Sequence, residues 1–205
     1  MTVEIAVAAK KSALPTTTIT AINPEGGPPS IQGREDGEAC LPGLFDLFEK
    51  HVTASSGYNA VIIACFDDTG LFELKARSTI PVIGIGEAAF HAAALLGATF
   101  STVTSLSVAI PIIEENIERY GFSKQSLRVR ASEVPVLSIG SQTAHIISAE
   151  ARTAVAEDKC DVIVLGCAGM ADLAADLERE LGVPVIDGVT SAVAFCEALG
   201  RARAV

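Results

Sequence analysis

The chain has 205 residues, 49% hydrophobic and 20% charged, enough to bury a full core as one domain or two small lobes and too apolar to stay disordered. Its formal net charge of −10 argues against a nucleic-acid or anionic-membrane partner, and no basic cluster offsets that charge. No apolar run reaches the roughly 18 residues of a membrane span, and the N-terminus lacks a charged-then-apolar signal pattern.

In chain order, residues 2–11 place Ile5, Ala8 and Ala9 on one face and end in lysines, which predicts a helix. Thr16 to Ile22 is rich in Thr and Ile and reads as a strand. Asn23 to Gly37 is crowded with Gly and Pro and reads as a long loop, a type of segment that often serves function. Leu41 to Val52 forms an amphipathic helix with Leu44, Phe45 and Phe48 inward. Strands follow at Ala60–Ala64, Ile80–Ile83 and Ala98–Thr104, separated by helices at Leu71–Arg77 and Glu87–Leu96. Ile110 to Tyr120 is helical, Leu127 to Arg130 alternates weakly as an edge strand, and Gln142 to Glu157 is helical again. The chain closes with strand Asp161–Gly166, helix Ala171–Leu181, strand Val183–Ile186 and helix Ser191–Arg203. Strands alternating with helices predict an α/β fold with parallel sheet.

One unit occurs twice. Ala60-Val61-Ile62-Ile63-Ala64 ends on Cys65, and Asp161-Val162-Ile163-Val164-Leu165-Gly166 ends on Cys167. Pro81-Val82-Ile83-Gly84 begins sixteen residues after Cys65, and Pro184-Val185-Ile186-Asp187 seventeen after Cys167. The duplication predicts two pseudo-symmetric lobes, each a parallel sheet flanked by helices, with the active site in the cleft between them. Residues 1–90 with 190–205 would form lobe one and 91–189 lobe two. Each copy puts a thiol at the carboxyl end of a strand, the edge where open α/β sheets bind ligands.

A thiol before a helix N-terminus meets backbone N–H groups that favour thiolate. A lone nucleophilic cysteine normally needs a histidine base, and no histidine flanks either cysteine closely; His91 and His145 read as surface or core-rim residues. Two facing thiols suit different work: one takes a proton from one face of a carbon and the other returns one to the opposite face, inverting a stereocentre without a cofactor. The competing explanation, that both are small buried hydrophobes, is adopted for Cys40, Cys160 and Cys196. Equivalent position in the repeat sets Cys65 and Cys167 apart. Asp67 and Asp68 can orient a substrate or cap the next helix, with Asp67 the better functional candidate. The N–H groups of Gly84-Ile85-Gly86-Glu87 can bind an anion, so Gly86 is a candidate substrate contact, although Ala89 replaces the third glycine of a nucleotide loop. Thr104, at a strand end, can reach the cleft. Five scattered cysteines without a CxxC pair point to reduced thiols, a cytoplasmic location and no metal site.

The segments Ile63-Ala64-Cys65-Phe66-Asp67-Asp68, Pro81 to Ala88, Leu165-Gly166-Cys167-Ala168-Gly169-Met170 and Pro184 to Gly188 resemble the hydantoin/allantoin racemase branch of the aspartate/glutamate racemase superfamily. The resemblance runs from about Thr2 to the C-terminus. It implies a cofactor-independent, two-lobed α/β racemase that inverts C5 of a 5-substituted hydantoin or allantoin, with Cys65 and Cys167 as the two bases. By the same resemblance the backbone around Phe66-Asp67 and Ala168-Gly169 holds the substrate's carbonyl and amide groups. The loop Pro28 to Gly33, with Ser30 and Ile31, covers the ring. Neutral Ala168 and Gly169 suit a cyclic ureide better than a free amino acid, whose charged ends need charged or hydroxyl partners. Two departures stand out. The family's opening strand has no counterpart here, an expectation that leaves a sheet edge open and favours a homo-oligomer; and Thr69 stands where proline is common. The alternatives are an amino-acid racemase, a related isomerase or decarboxylase, or a small-molecule binding protein with a decayed site.

Overall fold

Val162 to Leu165 are all fully buried because β5 (Val162–Gly166) carries packed layers on both faces. Its side chains alternate between two cores: Val162 and Val164 join one, Ile163 and Leu165 the other. This is why the strand reads as one apolar run rather than as a polar–apolar alternation. The computed structural model describes residues 1–53 and 55–203. Around β5 a four-stranded parallel sheet runs in the order β4 (Ser126–Ala131), β3 (Phe100–Thr104), β5, β6 (Val185–Asp187). A second parallel sheet pairs β1 (Val61–Ile63) with β2 (Val82–Gly84).

Helices α4 (Ile85–Leu96) and α8 (Gly188–Arg203) follow the two Pro-Val-Ile strands and pack on each other between the sheets; α4 touches β2, β5 and β6, and α8 touches all four strands of the repeated units. The approach at their N-terminal ends is tight: a Cβ on Gly188 would lie 2.2 Å from the Ile85 carbonyl oxygen. The central core forms here, with Phe90 packed edge-on against Phe66 and stacked on Phe100, both centroids at 5.5 Å. On the far face of the larger sheet lie α6 (Ala144–Thr153) and α7 (Ala174–Leu181). Beside the smaller sheet α2 (Arg34–His51) and α3 (Leu71–Arg77) close a third core around Phe48, Leu71 and Leu74. Helix α1 (Thr2–Ser12) lies against α8, and α5 (Ile110–Arg119) against β4 and α4. The expected lobe boundaries near residues 90 and 190 fall inside α4 and α8, the helices shared by both sheets; residues 204–205 lie outside the described residues.

Three expectations are corrected. Thr16 to Ile22 is not a strand: it lies across a cavity from β1, which pairs only with β2, so the segment has no ladder partner. Helix α2 begins at Arg34, inside the expected loop, with Glu35 and Asp36 in the first turn where the helix dipole favours acids, and it runs through Pro42. The helix expected at Gln142–Glu157 ends earlier, at Thr153, and passes into a π-turn, Ala154–Asp158.

Phe90 is fully buried at the junction of both sheets, so Phe90→Ala should cost about 3–5 kcal/mol. Chemical denaturation checks this: a loss below about 1 kcal/mol would show that the two halves do not share this core.

Candidate active site

Both repeated strands end in the same local device. After β1 the chain turns so that the Asp68 N–H reaches the Cys65 carbonyl at 3.0 Å; after β5 the Met170 N–H reaches the Cys167 carbonyl at 3.0 Å. In each turn the N–H two residues on, of Asp67 or of Gly169, donates toward the thiol sulfur. Both thiols open onto one cavity of about 1390 Å³ between the sheets. Of the other residues expected at the site, Ser30, Ile31, Phe66, Asp67, Thr104, Ala168 and Gly169 line it too. Gly86 does not. Its N–H is taken by Asp68 Oδ1 at 3.0 Å, and a Cβ there would lie 2.5 Å from the Phe66 carbonyl oxygen. The glycine therefore serves close packing behind the thiol turn and is not available to hold an anion.

The adjacent carboxyls divide their work. Asp68 is buried, with a left-handed φ of 50°, and caps α4 rather than the helix that follows it in sequence. Its oxygens accept the Gly86 N–H, the Glu87 N–H at 2.7 Å and the Tyr120 hydroxyl at 2.6 Å. The corresponding helix of the second unit, α8, is capped by its own Asp187, which accepts the Thr190 N–H at 2.8 Å. In the first unit Gly84 stands at that place, and a Cβ on it would lie 2.1 Å from Asp68 Oδ1. Burial pushes the Asp68 carboxyl up to about 7, against the pull of its three donors. Asp67 is buried, lines the cavity, and has no hydrogen-bond partner for its Oδ2 among the described residues. Burial raises it to about 6.

Burial also raises both thiols. Cys65 is pushed well above the usual range by burial first and by the Asp67 charge second. Cys167 is pushed up to about 11 by burial, with the Gly169 N–H opposing and the Asp67 charge adding. Thr69, which stands where proline is common in the family the chain resembles, has its hydroxyl 3.9 Å from the Cys65 sulfur. Thr104 gives its hydroxyl to the Gly166 carbonyl at 2.9 Å, tying β3 to β5 just before Cys167.

Several supports escaped sequence reasoning because their partners are far apart in the chain. Asn116 on α5 donates to the Asp67 carbonyl at 2.8 Å, and Tyr120 follows the same helix to Asp68. The loop Pro28 to Gly33 is pinned by Gln32, whose Oε1 accepts the Val136 N–H at 3.2 Å, and the chain just after it by the Arg34–Glu115 ion pair. No local pattern announces any of these contacts. The only Lys or Arg among the described residues lining the cavity is Arg201, near the end of α8, where it faces Glu197.

An α/β fold bearing equivalent thiols on two repeated strand-end turns, both opening onto one cavity, defines a two-cysteine class of protein. The model of the family "Asp/Glu/Hydantoin racemase" matches residues 1–196, and the chain belongs to that family. The hydantoin racemase of Rhizobium meliloti is 41% identical over 186 residues, spanning 89% of this chain and 76% of that protein. The allantoin racemase from Klebsiella pneumoniae superposes with a TM-score of 0.91 at 39% identity, covering 97% of this chain and 81% of that one. The allantoin racemase from Pseudomonas fluorescens gives 0.92 at 34% identity, covering 98% and 86%.

Two outcomes follow from the site. Asp68→Ala leaves two amides and a phenol without their acceptor in a buried place and should cost about 3 kcal/mol, read by thermal or chemical denaturation; an unchanged stability would remove Asp68 as the support of α4. Because burial raises both thiols above the usual range, iodoacetamide at pH 8 should modify both more slowly than an exposed thiol, as peptide mapping reports. Either cysteine reacting as fast as an exposed thiol would overturn that reading.

Proposed function

We propose that the protein racemises C5 of 5-substituted hydantoins or allantoin, using Cys65 and Cys167 as bases on opposite faces of the ring. The observation that carries this reading is the pair of thiols on equivalent turns, each fed by a backbone N–H and both opening onto one cavity. A raised thiol pKa makes the thiolate scarce but strongly basic, which suits a carbon acid much weaker than a thiol. As the C5 proton leaves, negative charge moves onto the adjoining carbonyl oxygen, and preorganised backbone donors lower the cost of that charge. Ala168 and Gly169 beside Cys167 offer backbone rather than charge, and an added Cβ at Gly169 would meet Met1, with Cε at 3.2 Å and Sδ at 3.3 Å, and Ile139 Cδ1 at 3.5 Å.

The charge around the thiols favours a neutral ring over a free amino acid. An α-amino acid brings a carboxylate that would need a cationic partner, and the one Lys or Arg lining the cavity already faces Glu197. Ser30 and Ile31, on the loop pinned by Gln32, would cover the ring, with Phe66 and Thr104 as walls, a reading supported by their lining the same cavity as the thiols. The free outer edge of β1 among the described residues supports a homo-oligomer, which light scattering in solution tests; a monomer at working concentration would overturn it. Free cysteines at all five positions support a reducing, cytoplasmic setting. None of the described helices is long and apolar enough to cross a membrane.

The test is loss of optical rotation of a chiral 5-substituted hydantoin and of allantoin, run in deuterated water. Cys65→Ser and Cys167→Ser should each lower racemisation at least about a thousandfold, while each still exchanges the C5 proton of one enantiomer, a different one for each variant. Retained racemisation in either variant overturns the two-base reading. An inert wild type on hydantoins, allantoin and amino acids alike leaves the binding-protein alternative in its place.

A further inference from the structure

Two half-buried thiols pose a proton problem. Abstraction from carbon needs one of them as thiolate, yet burial keeps both protonated. The usual partner, a histidine, is not at hand: among the described residues only His51 of the three reaches the cavity, from the C-terminal end of α2, and no histidine is hydrogen-bonded to either sulfur. Asp67 is placed differently. It sits two residues beyond Cys65 on the same turn, is 7% exposed, lines the cavity, and holds Oδ2 without a partner. Its charge raises both thiols, Cys65 as the second cause after burial and Cys167 as the third, and all three residues line the same cavity. Its backbone is fixed by Asn116, while the neighbouring Asp68 is fully occupied by the Gly86 and Glu87 amides and Tyr120. A buried carboxyl oxygen without a partner is costly unless it gains a proton or a hydrogen bond during the reaction.

We propose that Asp67 is the shared proton acceptor of the two thiols. The inference rests on the racemase reading. The resting site holds two thiols and the Asp67 carboxylate. One Sγ–H passes its proton to an Asp67 oxygen, giving a thiolate and a neutral acid. That thiolate takes the C5 proton, the C–H electron pair moving into the enolate. The opposite thiol delivers its proton to the other face of C5, and Asp67 returns its proton to the sulfur so emptied. Protons and charge balance, and the site ends as it began. The two halves of the first step support each other, because protonating Asp67 removes the charge that opposes the thiolate. The carboxyl titrates near 6, so at neutral pH it is ionised and ready to accept. The titratable groups around it are Cys65, Cys167 and the engaged Asp68. The arrangement is lopsided by design of the repeat: the second turn has Gly169 where the first has Asp67, so one carboxyl serves both sides.

The active form has the same number of protons as the resting form. Wild-type kcat/KM should therefore stay within about threefold from pH 7 to pH 9. In Asp67→Asn the thiol must lose its proton to solvent, so kcat/KM should rise about tenfold per pH unit over the same range. Iodoacetamide modification of both cysteines should also become faster in Asp67→Asn, since the opposing charge is gone. A wild-type profile that itself climbs tenfold per unit overturns the relay without need of any variant. So does a flat profile in Asp67→Asn, or thiol modification no faster than wild type. An inert wild type overturns the racemase reading and the relay with it, whereas an active wild type with either contrary profile overturns the relay alone.

Discussion

The carboxylate of Asp68 is where the parts of this molecule meet. It lies on the turn that carries Cys65, accepts the first amides of α4, and receives the hydroxyl of Tyr120 from the end of α5. A helix N-terminus needs acceptors for its free N–H groups, and β2 supplies none because Gly84 has no side chain. The side chain that answers this need comes from the neighbouring strand's turn, so forming α4 also fixes the thiol. Glycines at 84 and 86 are the condition for it, since a methyl group at either would stand on Asp68 or on the Phe66 carbonyl. The turn that carries Cys65 is thus anchored to a largely buried helix, α4, whose Phe90 stacks on Phe100 of the larger sheet.

The same contact separates the roles of two adjacent aspartates. Asp68 uses its oxygens on backbone and phenol donors, while Asp67, one residue earlier, has no donor for Oδ2 and lines the cavity. Placing a charged group without partners in a low-dielectric site raises its pKa and that of any nearby acid, as seen for Asp67 and both thiols. Burial thus favours the neutral form of both thiols and makes each a strong base once ionised.

Pseudo-symmetry is real in the strands and partial in the site. The two turns match in hydrogen bonding down to the residue whose N–H meets each sulfur. They differ in what surrounds them: Asp67 and Thr69 near Cys65, Gly169 under Met1 near Cys167. A substrate with two unlike faces meets two unlike thiols.

Much of this was legible from residue order alone. Apolar runs ending on Cys65 and Cys167, each followed at nearly equal spacing by Pro-Val-Ile, disclosed the parallel α/β class and the repeat, because backbone periodicity and burial are local properties of a strand. The segment Leu71–Arg77 was placed to the residue, since Gly70 and the apolar spacing bound it locally. The strand expected at Thr16–Ile22 failed for the opposite reason: a strand exists only with a partner, and the propensity of Thr and Ile cannot supply one. Gly86 likewise carried the right local signal for an anion site, but its N–H was already claimed from eighteen residues away. Sequence determined which residues could do chemistry and that they come in pairs. Tertiary structure decided which aspartate supports and which stays free, that both thiols share one cavity, and how far burial shifts them, because solvation and long-range hydrogen bonds exist only once the chain has closed on itself.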